Sequence, residues 1–333
     1  MINIAILGFG VIGSGVAETL EKRAEMISKA AGDDIFVKYI CDLRDFSSHP
    51  LKDRFVKDFG AILADPEVSI VAEMIGGLHP AYDFSLAAIK AGKSVVTSNK
   101  VVVAAKGDEL MTAAAENGVS YLYEASVGGA IPIIRAINDS LSGCEIDEIE
   151  GILNGTTNYI LARMDEAGLT MDEALKEAQS LGYAEAKPDA DISGGDACRK
   201  ICILAAAAFG TLVDSDKVKI TGIEGVTRET ISKAKEDGCT VKLIARAVRN
   251  GDGSIGLGVS PKEISLTDPL ASVNGVYNAV KLKIKDVGDM MFYGKGAGSL
   301  PTASAVVADI IDAANKKTRP AVWKRDDGAC RQI

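Results

Sequence analysis

The feature that most constrains the fold is a short apolar segment followed directly by three spaced glycines. Ile2 to Leu7 reads as a buried strand, GFGVIG follows at residues 8–13, and from Val11 to Ala30 the apolar residues recur with helical spacing. In such a unit the first glycine makes a tight turn, the second lets the backbone approach a pyrophosphate, and the third lets helix and strand pack closely. The helix N-terminus offers N–H groups to phosphates. The sequence therefore predicts dinucleotide binding through Gly8, Gly10 and Gly13.

The end of the second predicted strand bears on the choice of dinucleotide. The strand runs from Ile35 to Cys41 and is followed by Asp42, which can bond the adenine ribose hydroxyls and so favours NAD. Arg44 lies two residues later, with Lys38 and Lys57 not far away, so a 2′-phosphate could also find a cation here. Arg44 and Asp42 could equally be an exposed loop pair that contributes little. The choice between NAD and NADP stays open.

Short apolar strands alternate with helices through the rest of the first half, which predicts an α/β fold with a Rossmann-type doubly wound parallel sheet. The predicted elements are strands at 68–74, 94–96 and 121–124 and helices at 82–91 and 104–116. Gly76, Thr97, Ser98 and Lys100 lie in loops at strand ends, where open sheets bind ligands. A lysine in the first turn of a helix opposes the helix dipole, which favours a site role for Lys100 over plain exposure.

After Glu124 strands and helices no longer alternate strictly, which predicts a second, α+β domain with helices on one face of its sheet. We expect a dinucleotide-binding domain at 1–130, rejoined by a C-terminal helix at about 296–318, and a substrate-binding and oligomerisation domain at 131–295. The predicted elements of the second domain are strands at 145–153, 241–248 and 277–282 and helices at 158–166, 171–181, 195–209 and 231–236. A glycine cluster at 294–299 precedes the helix at 302–314, and the residues from 316 onward are expected to be peripheral.

Composition excludes several classes of function. The longest apolar run, Ile201 to Phe209, is far shorter than the roughly 20 residues of a membrane helix. The sequence starts with a strand and shows no signal peptide, so we expect a cytoplasmic protein. A net charge of −9 argues against nucleic acid as a partner. Six cysteines without CxxC or zinc-like spacing are expected to be reduced thiols.

The two histidines, His49 and His79, have no evident orienting carboxylate in the sequence. Acid and base catalysis is therefore expected from lysine or carboxylate. The segment LGYAEAKPDADISGGDACRK, residues 181–200, supplies both, and its glycines and proline fix the path of the backbone. Asp196 and Lys200 could be an ordinary helical i,i+4 ion pair or a catalytic pair.

Six segments, taken in order, resemble the homoserine dehydrogenases over about residues 1–315. They are GFGVIG at 8–13, SNK at 98–100, YEASVGGAIPI at 123–133, GILNGTTNYIL at 151–161, the segment 181–200, and FYGKGAGSLPTAS at 292–304. The resemblance implies NAD(P)-linked interconversion of L-aspartate 4-semialdehyde and L-homoserine, on the route to threonine, isoleucine and methionine. Another amino-acid dehydrogenase of related fold and a non-catalytic NAD(P)-binding sensor are the alternatives.

The resemblance also implies roles for individual residues. Lys200 matches the acid/base lysine, Glu185 a substrate-binding glutamate, and Asp191 and Asp196 further polar residues of the substrate pocket. Lys100 matches a lysine beside cofactor and substrate, and Asp196 could orient Lys200. The further matched positions are cofactor contacts at Gly10, Val11, Ile12, Gly182 and Gly298, and sodium-binding main-chain carbonyls at Glu124, Val127, Gly129 and Ile131. Asp189 matches no functional position and is expected to be a plain surface carboxylate.

Two departures from the family pattern shape further expectations. Longer homoserine dehydrogenases carry a C-terminal domain that senses threonine, and this sequence ends at Ile333, so we expect no threonine inhibition by that route. Many relatives have a basic residue before the aspartate that follows strand two, and this chain has Cys41, which weakens the case for NADP. The apolar strands of the second domain indicate a homodimer through that sheet, with a homotetramer as the alternative.

Overall fold

The computed structural model describes residues 1–316, 322–326 and 331–333. Two compact units make up this part of the chain. The first combines Met1–Ala130 with Gly298–Lys324, and the second combines Ile131–Ala297 with Arg325–Ile333. No helix of the described residues has both the length and the apolar composition that a bilayer crossing demands.

A six-stranded parallel sheet forms the centre of the first unit. Its order is β3-β2-β1-β4-β5-β6, so the strand order reverses between β1 and β4 while the strands stay parallel, as in dinucleotide-binding folds. The strands are β1 (Ile2–Leu7), β2 (Ile35–Cys41), β3 (Phe55–Val56), β4 (Val68–Glu73), β5 (Ser94–Thr97) and β6 (Tyr121–Leu122). Ile4, Ile6, Ile70 and Val96 are buried, as expected of strands covered on both faces. The predicted Rossmann-type sheet is thus confirmed.

Helices cover this sheet and connect its strands. They are α1 (Val11–Lys22), α2 (Ala24–Ala31), α3 (Phe59–Ala64), α4 (Ala81–Lys90) and α5 (Lys100–Asn117). The single helix predicted from Val11 to Ala30 is interrupted at Arg23, whose backbone leaves the helical conformation (φ −118°, ψ 25°). Helix α5 begins at Lys100, four residues before the predicted start, because Asn99 caps it by accepting from the N–H groups of Val101 and Val102.

A mixed sheet forms the centre of the second unit, with the main order β13-β12-β7-β10-β11-β15 and β9 paired to β11. Its strands are β7 (Ile146–Ile152), β9 (Lys219–Ile220), β10 (Cys239–Arg249), β11 (Ile255–Ser265), β12 (Tyr277–Ile284), β13 (Gly288–Lys295) and β15 (Arg331–Gln332), and a short β8 (Thr211–Leu212) lies outside it. The sequence predicted β7, β10 and β12 but missed β11 and β13. Gly256, Gly258 and Pro261 obscure β11, and β13 is too exposed to show apolar alternation.

The helices of the second unit are α6 (Ile133–Arg135), α7 (Gly155–Ala167), α8 (Met171–Ser180), α9 (Asp189–Ile192), α10 (Gly195–Phe209) and α11 (Arg228–Glu236). Helices α7, α10 and α11 pack on the sheet. The sheet also carries a network of charged side chains, in which Arg246 pairs with Glu148 and Lys281 pairs with Glu150. Helix α10 has the predicted bounds, and it is the element that carries Asp196 and Lys200.

The chain returns to the first unit through α12 (Ser299–Ala314), which packs against α1. Beyond it lies β14 (Lys324–Arg325). The prediction that the residues from 316 onward are peripheral is wrong for Trp323, which is buried. A Cβ added at Gly107 of α5 would lie 2.5 Å from the Trp323 ring. Trp323 also makes an edge contact with Tyr123, at 5.1 Å between ring centroids, so this part of the tail packs into the first unit.

Candidate active site

Backbone contacts exclude a side chain at two of the three glycines in the loop of the first unit. A Cβ at Gly8, where φ is +85°, would lie 2.8 Å from the Met74 carbonyl oxygen, and a Cβ at Gly13 would lie 2.0 Å from the Gly8 oxygen. Real Cβ atoms essentially never come within 3.0 Å of another heavy atom. Gly10 differs, because a Cβ there meets no described heavy atom within 4 Å. Gly8 and Gly13 are therefore required for the path of the loop, whereas Gly10 leaves open space beside the backbone.

Beside this loop lies a cavity of about 500 Å³. Its lining residues come from the glycine loop, the segments after β2 and β3, the end of β4 and the start of helix α4. They include Gly8, Gly10, Asp42, Arg44, Lys57 and Ile75. Helix α1 starts at the loop with Gly10 as its N-cap residue, which has no side chain to accept a hydrogen bond from the first-turn N–H groups. Val11 and Ile12 are the first two residues of that turn. An uncapped helix N-terminus beside a cavity suits a dinucleotide phosphate.

Asp42 ties the segment after β2 to the glycine loop. Its Oδ2 accepts from the Phe9 backbone N–H at 2.8 Å and from Arg44 Nη2 at 2.7 Å, while Oδ1 accepts from Arg44 Nε at 3.0 Å. These donors hold the pKa of the Asp42 carboxyl well below its usual range. The Arg44 side chain is 60% exposed, and Lys57 Nζ donates to the Leu43 and Arg44 carbonyl oxygens. The predicted ribose ligand and the predicted phosphate ligand thus form one bidentate pair.

A buried glutamate organises the loops at the ends of β4 and β5, and sequence reasoning missed it. Glu73 accepts from the Ile75 N–H at 2.7 Å through Oε1 and from the Thr97 hydroxyl at 2.7 Å through Oε2. Burial raises the pKa of Glu73. The Thr97 hydroxyl in turn accepts from the Asn99 N–H, and Asn99 Nδ2 donates to the Gly77 carbonyl. The side chain of Thr97 is therefore held within the protein.

The other predicted cofactor positions of the first unit lie at helix starts or, for Gly76, in the loop after a strand. Ser98 and Lys100 flank the cap of α5, both half-buried, and Gly76 follows β4 with φ of +84°. Gly298 precedes α12, and the next residue, Ser299, donates to the Val11 carbonyl at 3.0 Å. Gly298 is thereby brought next to the start of α1.

The predicted acidic and basic residues of the second unit meet at the start of α10. Lys200 Nζ lies 2.7 Å from Asp196 Oδ2 and donates to the Leu153 carbonyl at 2.7 Å. Only 8% of the Lys200 side chain and 7% of the Asp196 side chain are exposed. A surface i,i+4 pair contributes only about 0.3–0.5 kcal/mol, whereas removing one partner of a buried pair costs about 3–5 kcal/mol. The pair is therefore not an exposed ion pair of the surface type, and its contribution to the helix cannot be read from the surface value.

Asn154 joins two of the predicted carboxylates, and sequence reasoning gave it no role. Its Nδ2 donates to Asp191 Oδ1 at 2.7 Å and to Asp196 Oδ2 at 2.9 Å. Its Oδ1 accepts from the Thr157 N–H at 2.9 Å and so caps α7. An Asn between a strand and an apolar helical segment is a cap signature, and this signal could have drawn attention to the residue.

Glu185 lies in the exposed loop between α8 and α9, near the carboxylate cluster in sequence but outside its hydrogen bonds as described. Gly182 starts this loop with φ of +75°, and Thr156 Oγ1 donates to the Tyr183 carbonyl at 2.8 Å. The loop is thus tied to the first turn of α7. Asp189 is exposed, as predicted for a plain surface carboxylate.

The four predicted sodium ligands lie in one buried segment. Glu124 starts a 3-10 turn, Val127 and Ile131 are buried, and Gly129 has φ of +54°. The Ile131 carbonyl accepts from the Ile133 N–H at 2.8 Å. This hydrogen bond uses one of the two lone pairs of the oxygen, and the second could bind a cation. Among the described residues, no group of three or more His, Cys, Asp or Glu side chains could hold a metal.

The expectation that neither histidine has an orienting carboxylate is wrong for His79, whose Nδ1 lies 2.7 Å from Asp83 Oδ2 one helical turn later. Both side chains are more than half exposed, which is typical of a surface pair rather than a catalytic one. The cysteines at 41, 144, 198, 202 and 239 are free thiols, as expected, and Cys330 lies outside the described residues.

Comparisons with known proteins point to one family. The model of the homoserine dehydrogenase NAD-binding domain matches residues 8–124, and the homoserine dehydrogenase model matches 132–311. The homoserine dehydrogenase of Synechocystis sp. is 45% identical over 317 residues, which are 93% of this chain and 73% of the relative.

Solved structures agree. A homoserine dehydrogenase from Thiobacillus denitrificans aligns with a TM-score of 0.90 and 42% identity, covering 94% of this chain and 73% of that one. A hyperthermophilic archaeal homoserine dehydrogenase in complex with NADPH aligns with a TM-score of 0.81 and 30% identity, covering 96% and 99%.

Proposed function

The chain belongs to the homoserine dehydrogenase family of NAD(P)-dependent oxidoreductases, and we propose that it interconverts L-homoserine and L-aspartate 4-semialdehyde with Lys200 as the proton donor and acceptor. The observation that carries the role of Lys200 is its burial, with Nζ 2.7 Å from Asp196 and 2.7 Å from the Leu153 carbonyl. Holding a lysine in water-excluded surroundings costs stability, and such groups concentrate at functional sites.

The chemistry explains why a lysine is needed. When bound, NAD(P) supplies or accepts the hydride. The aldehyde oxygen of the semialdehyde gains negative charge as the hydride arrives, and the Lys200 ammonium stabilises that charge and then donates its proton. In the direction of homoserine oxidation, neutral Lys200 takes the hydroxyl proton. Asp196 holds the Lys200 side chain in place.

Substrate recognition falls to the acidic residues of the second unit. Both homoserine and the semialdehyde carry an ammonium group, which carboxylates bind through charge-assisted hydrogen bonds. Glu185 and Asp191 are proposed to bind that ammonium, and Lys100 is proposed to bind the substrate and contact the cofactor. The exposed position of Glu185 supports this role, because a ligand-binding carboxylate has to be reachable from solvent.

The first unit is proposed to bind the cofactor along its glycine loop. Gly10, Val11, Ile12 and the uncapped start of α1 suit the pyrophosphate. The second unit contributes Gly182 to the same proposal. The Asp42–Arg44 pair supports use of either cofactor, since Asp42 can accept from ribose hydroxyls and Arg44, 60% exposed, can turn to a 2′-phosphate.

A sodium ion bound by the main-chain carbonyls of Glu124, Val127, Gly129 and Ile131 is a second proposal. Hard cations prefer oxygen ligands, and the positive φ angles of Gly128 and Gly129 give this segment a path that other residues rarely adopt. Thermal unfolding in sodium chloride and in choline chloride at equal ionic strength tests it. Equal melting temperatures in the two salts would argue against the site.

A homodimer through the second-unit sheet is also proposed. Edge strand β13 exposes Met290, Met291 and Tyr293 at 36%, 39% and 53%, which is unusual for large apolar side chains of a monomer surface. Light scattering on a sizing column gives the mass, and Met291→Glu is expected to weaken association. A monomer at micromolar concentration would contradict the proposal.

The product is proposed to serve threonine, isoleucine and methionine synthesis.

The decisive experiment is steady-state oxidation of L-homoserine with NAD and with NADP by the wild type and by Lys200→Met, which keeps most of the apolar stem. General acid and base catalysis contributes about 10²–10⁴ in rate, so we expect kcat to fall at least 100-fold. Lys176→Ala, an exposed lysine on α8, is the matched control and should keep wild-type activity. L-malate and L-aspartate serve as alternative substrates.

The outcomes separate the possibilities. Near-full turnover by Lys200→Met disproves the proton-transfer role. Greater activity on malate or aspartate than on homoserine would indicate another amino-acid or hydroxy-acid dehydrogenase. Calorimetric titration with NADPH checks that Lys200→Met still binds cofactor. Binding would show that the variant is folded and that its lost activity is a loss of catalysis.

A further inference from the structure

Asn154 lies at the end of β7, one residue after the carbonyl that accepts from Lys200. Leu153 O receives Lys200 Nζ at 2.7 Å, and Asn154 Nδ2 donates to Asp196 Oδ2 at 2.9 Å. The same Asp196 oxygen lies 2.7 Å from Lys200 Nζ. Two consecutive residues of this turn therefore contact Lys200, one directly and the other through Asp196.

The orientation of the Asn154 amide is determined by its neighbours. Its Oδ1 accepts from the Thr157 N–H at 2.9 Å and from the Thr157 hydroxyl at 3.1 Å. The reversed amide would turn its oxygen towards the Asp191 and Asp196 carboxylates and its NH₂ towards the Thr157 N–H, so three of its contacts would become unfavourable, while the Thr157 hydroxyl could adapt. Asn154 is 5% exposed, so its NH₂ group is committed to Asp191 and Asp196.

We propose that Asn154 is a positioning residue for the proton transfer, which holds the Asp196 carboxylate and withdraws negative charge from the oxygen that binds Lys200. This inference rests on the proposed role of Lys200. The described charged groups of the network are Asp196 on the same helix as Lys200 and Asp191 on α9, while the turn between β7 and α7 presents the Leu153 carbonyl and the Asn154 amide. The amide is the donor that both carboxylates share.

A consequence for the pH profile follows. A hydrogen bond from the amide spreads part of the carboxylate charge, so Asp196 attracts the Lys200 proton less strongly than it would without that donor. Lys200 therefore becomes neutral, and able to accept a proton from homoserine, at a lower pH. Loss of the amide should move the rising limb of homoserine oxidation to higher pH.

Two substitutions separate this role from the capping of α7. Serine and aspartate both cap helices well, so Asn154→Ser and Asn154→Asp keep an acceptor for the Thr157 N–H. Asparagine and aspartate have the same shape, but aspartate lacks the NH₂ group and adds a negative charge. Thr227→Ala, which removes the cap of α11, is the control for loss of a helix cap in the same unit.

We expect kcat at neutral pH to fall at least about tenfold in both variants, because a shift of one pH unit along a rising limb of unit slope changes the rate tenfold. The rising limb is expected to shift by about one pH unit, more in Asn154→Asp than in Asn154→Ser. Activity should recover at high pH, whereas Thr227→Ala should keep the wild-type profile.

A wild-type pH profile in both Asn154 variants overturns the proposal, as does an equal loss of activity at every pH. If Asn154→Asp does not fold, Asn154→Ser decides by the same criteria. The positioning role can be refuted independently of the proposed function. A wild type that does not oxidise homoserine refutes the proposed function, while an active wild type, an inactive Lys200→Met and unchanged Asn154 variants refute only the positioning role.

Discussion

The glycine loop allows a paired test in which two neighbouring glycine-to-alanine changes have opposite consequences. Gly13→Ala places a Cβ 2.0 Å from the Gly8 carbonyl oxygen, an approach that only a backbone shift of about 1 Å can relieve. Gly8 is itself restrained, since a Cβ there would lie 2.8 Å from the Met74 oxygen. Gly10→Ala meets no described heavy atom within 4 Å, and its φ of −77° suits alanine.

The expected magnitudes follow from these contacts. Overpacking costs about 1–3 kcal/mol or more, and the rigidity of the loop puts Gly13→Ala at the upper end. At about 2–4 °C per kcal/mol, the melting temperature should fall by roughly 6–12 °C. Gly10→Ala loses only a good capping residue, about 0.5–1 kcal/mol, and should melt within about 4 °C of the wild type.

Cofactor affinity is expected to be the property that Gly10→Ala loses, although this variant keeps its stability. The Cβ of Gly10→Ala occupies room in which the proposed pyrophosphate approaches the backbone, so a folded variant should bind NADPH at least about tenfold more weakly. Differential scanning fluorimetry and NADPH fluorescence titration measure the two effects. Wild-type melting of Gly13→Ala, or wild-type NADPH affinity of Gly10→Ala, would refute the assignment of glycine roles.

Further predictions concern cofactor choice, pH and the tail. Arg44→Ala should weaken NADPH binding about tenfold while NADH binding holds, because Asp42 remains; equal effects on both cofactors in fluorescence titrations would contradict this role. Burial lowers the pKa of Lys242 from 10.5 to about 8, so the unfolded state binds more protons between these values and the wild type should gain stability as pH rises from 8 to 10.5. Relative to Lys242→Met, the gain in urea unfolding should approach roughly 3 kcal/mol, and a pH-independent difference would count against it. Trp323→Ala should cost about 3–5 kcal/mol in the same assay, and a loss below about 1 kcal/mol would show that the tail is peripheral after all.

Local chemistry made several features predictable. The glycine loop could be identified because its tight contacts join residues within one loop, as between Gly8 and Gly13. Helix α10 was predicted with its observed bounds, since Gly194 and Gly210 mark both ends with left-handed backbone. Strands β11 and β13 were missed because glycines, a proline and edge exposure remove the alternation from which strands are recognised.

The sequence by itself determined which residues are candidates for the chemistry and their order along the chain, because turn formation, helix spacing and the i,i+4 distance of Asp196 and Lys200 are local properties. Only the tertiary structure decided that this pair is buried, since exposure depends on what packs over a helix. It also decided that Asn154 meets Asp191 and Asp196, which lie 37 and 42 residues away in sequence. Hydrogen bonds between distant segments leave no periodic pattern, so folding alone brings these donors and acceptors together.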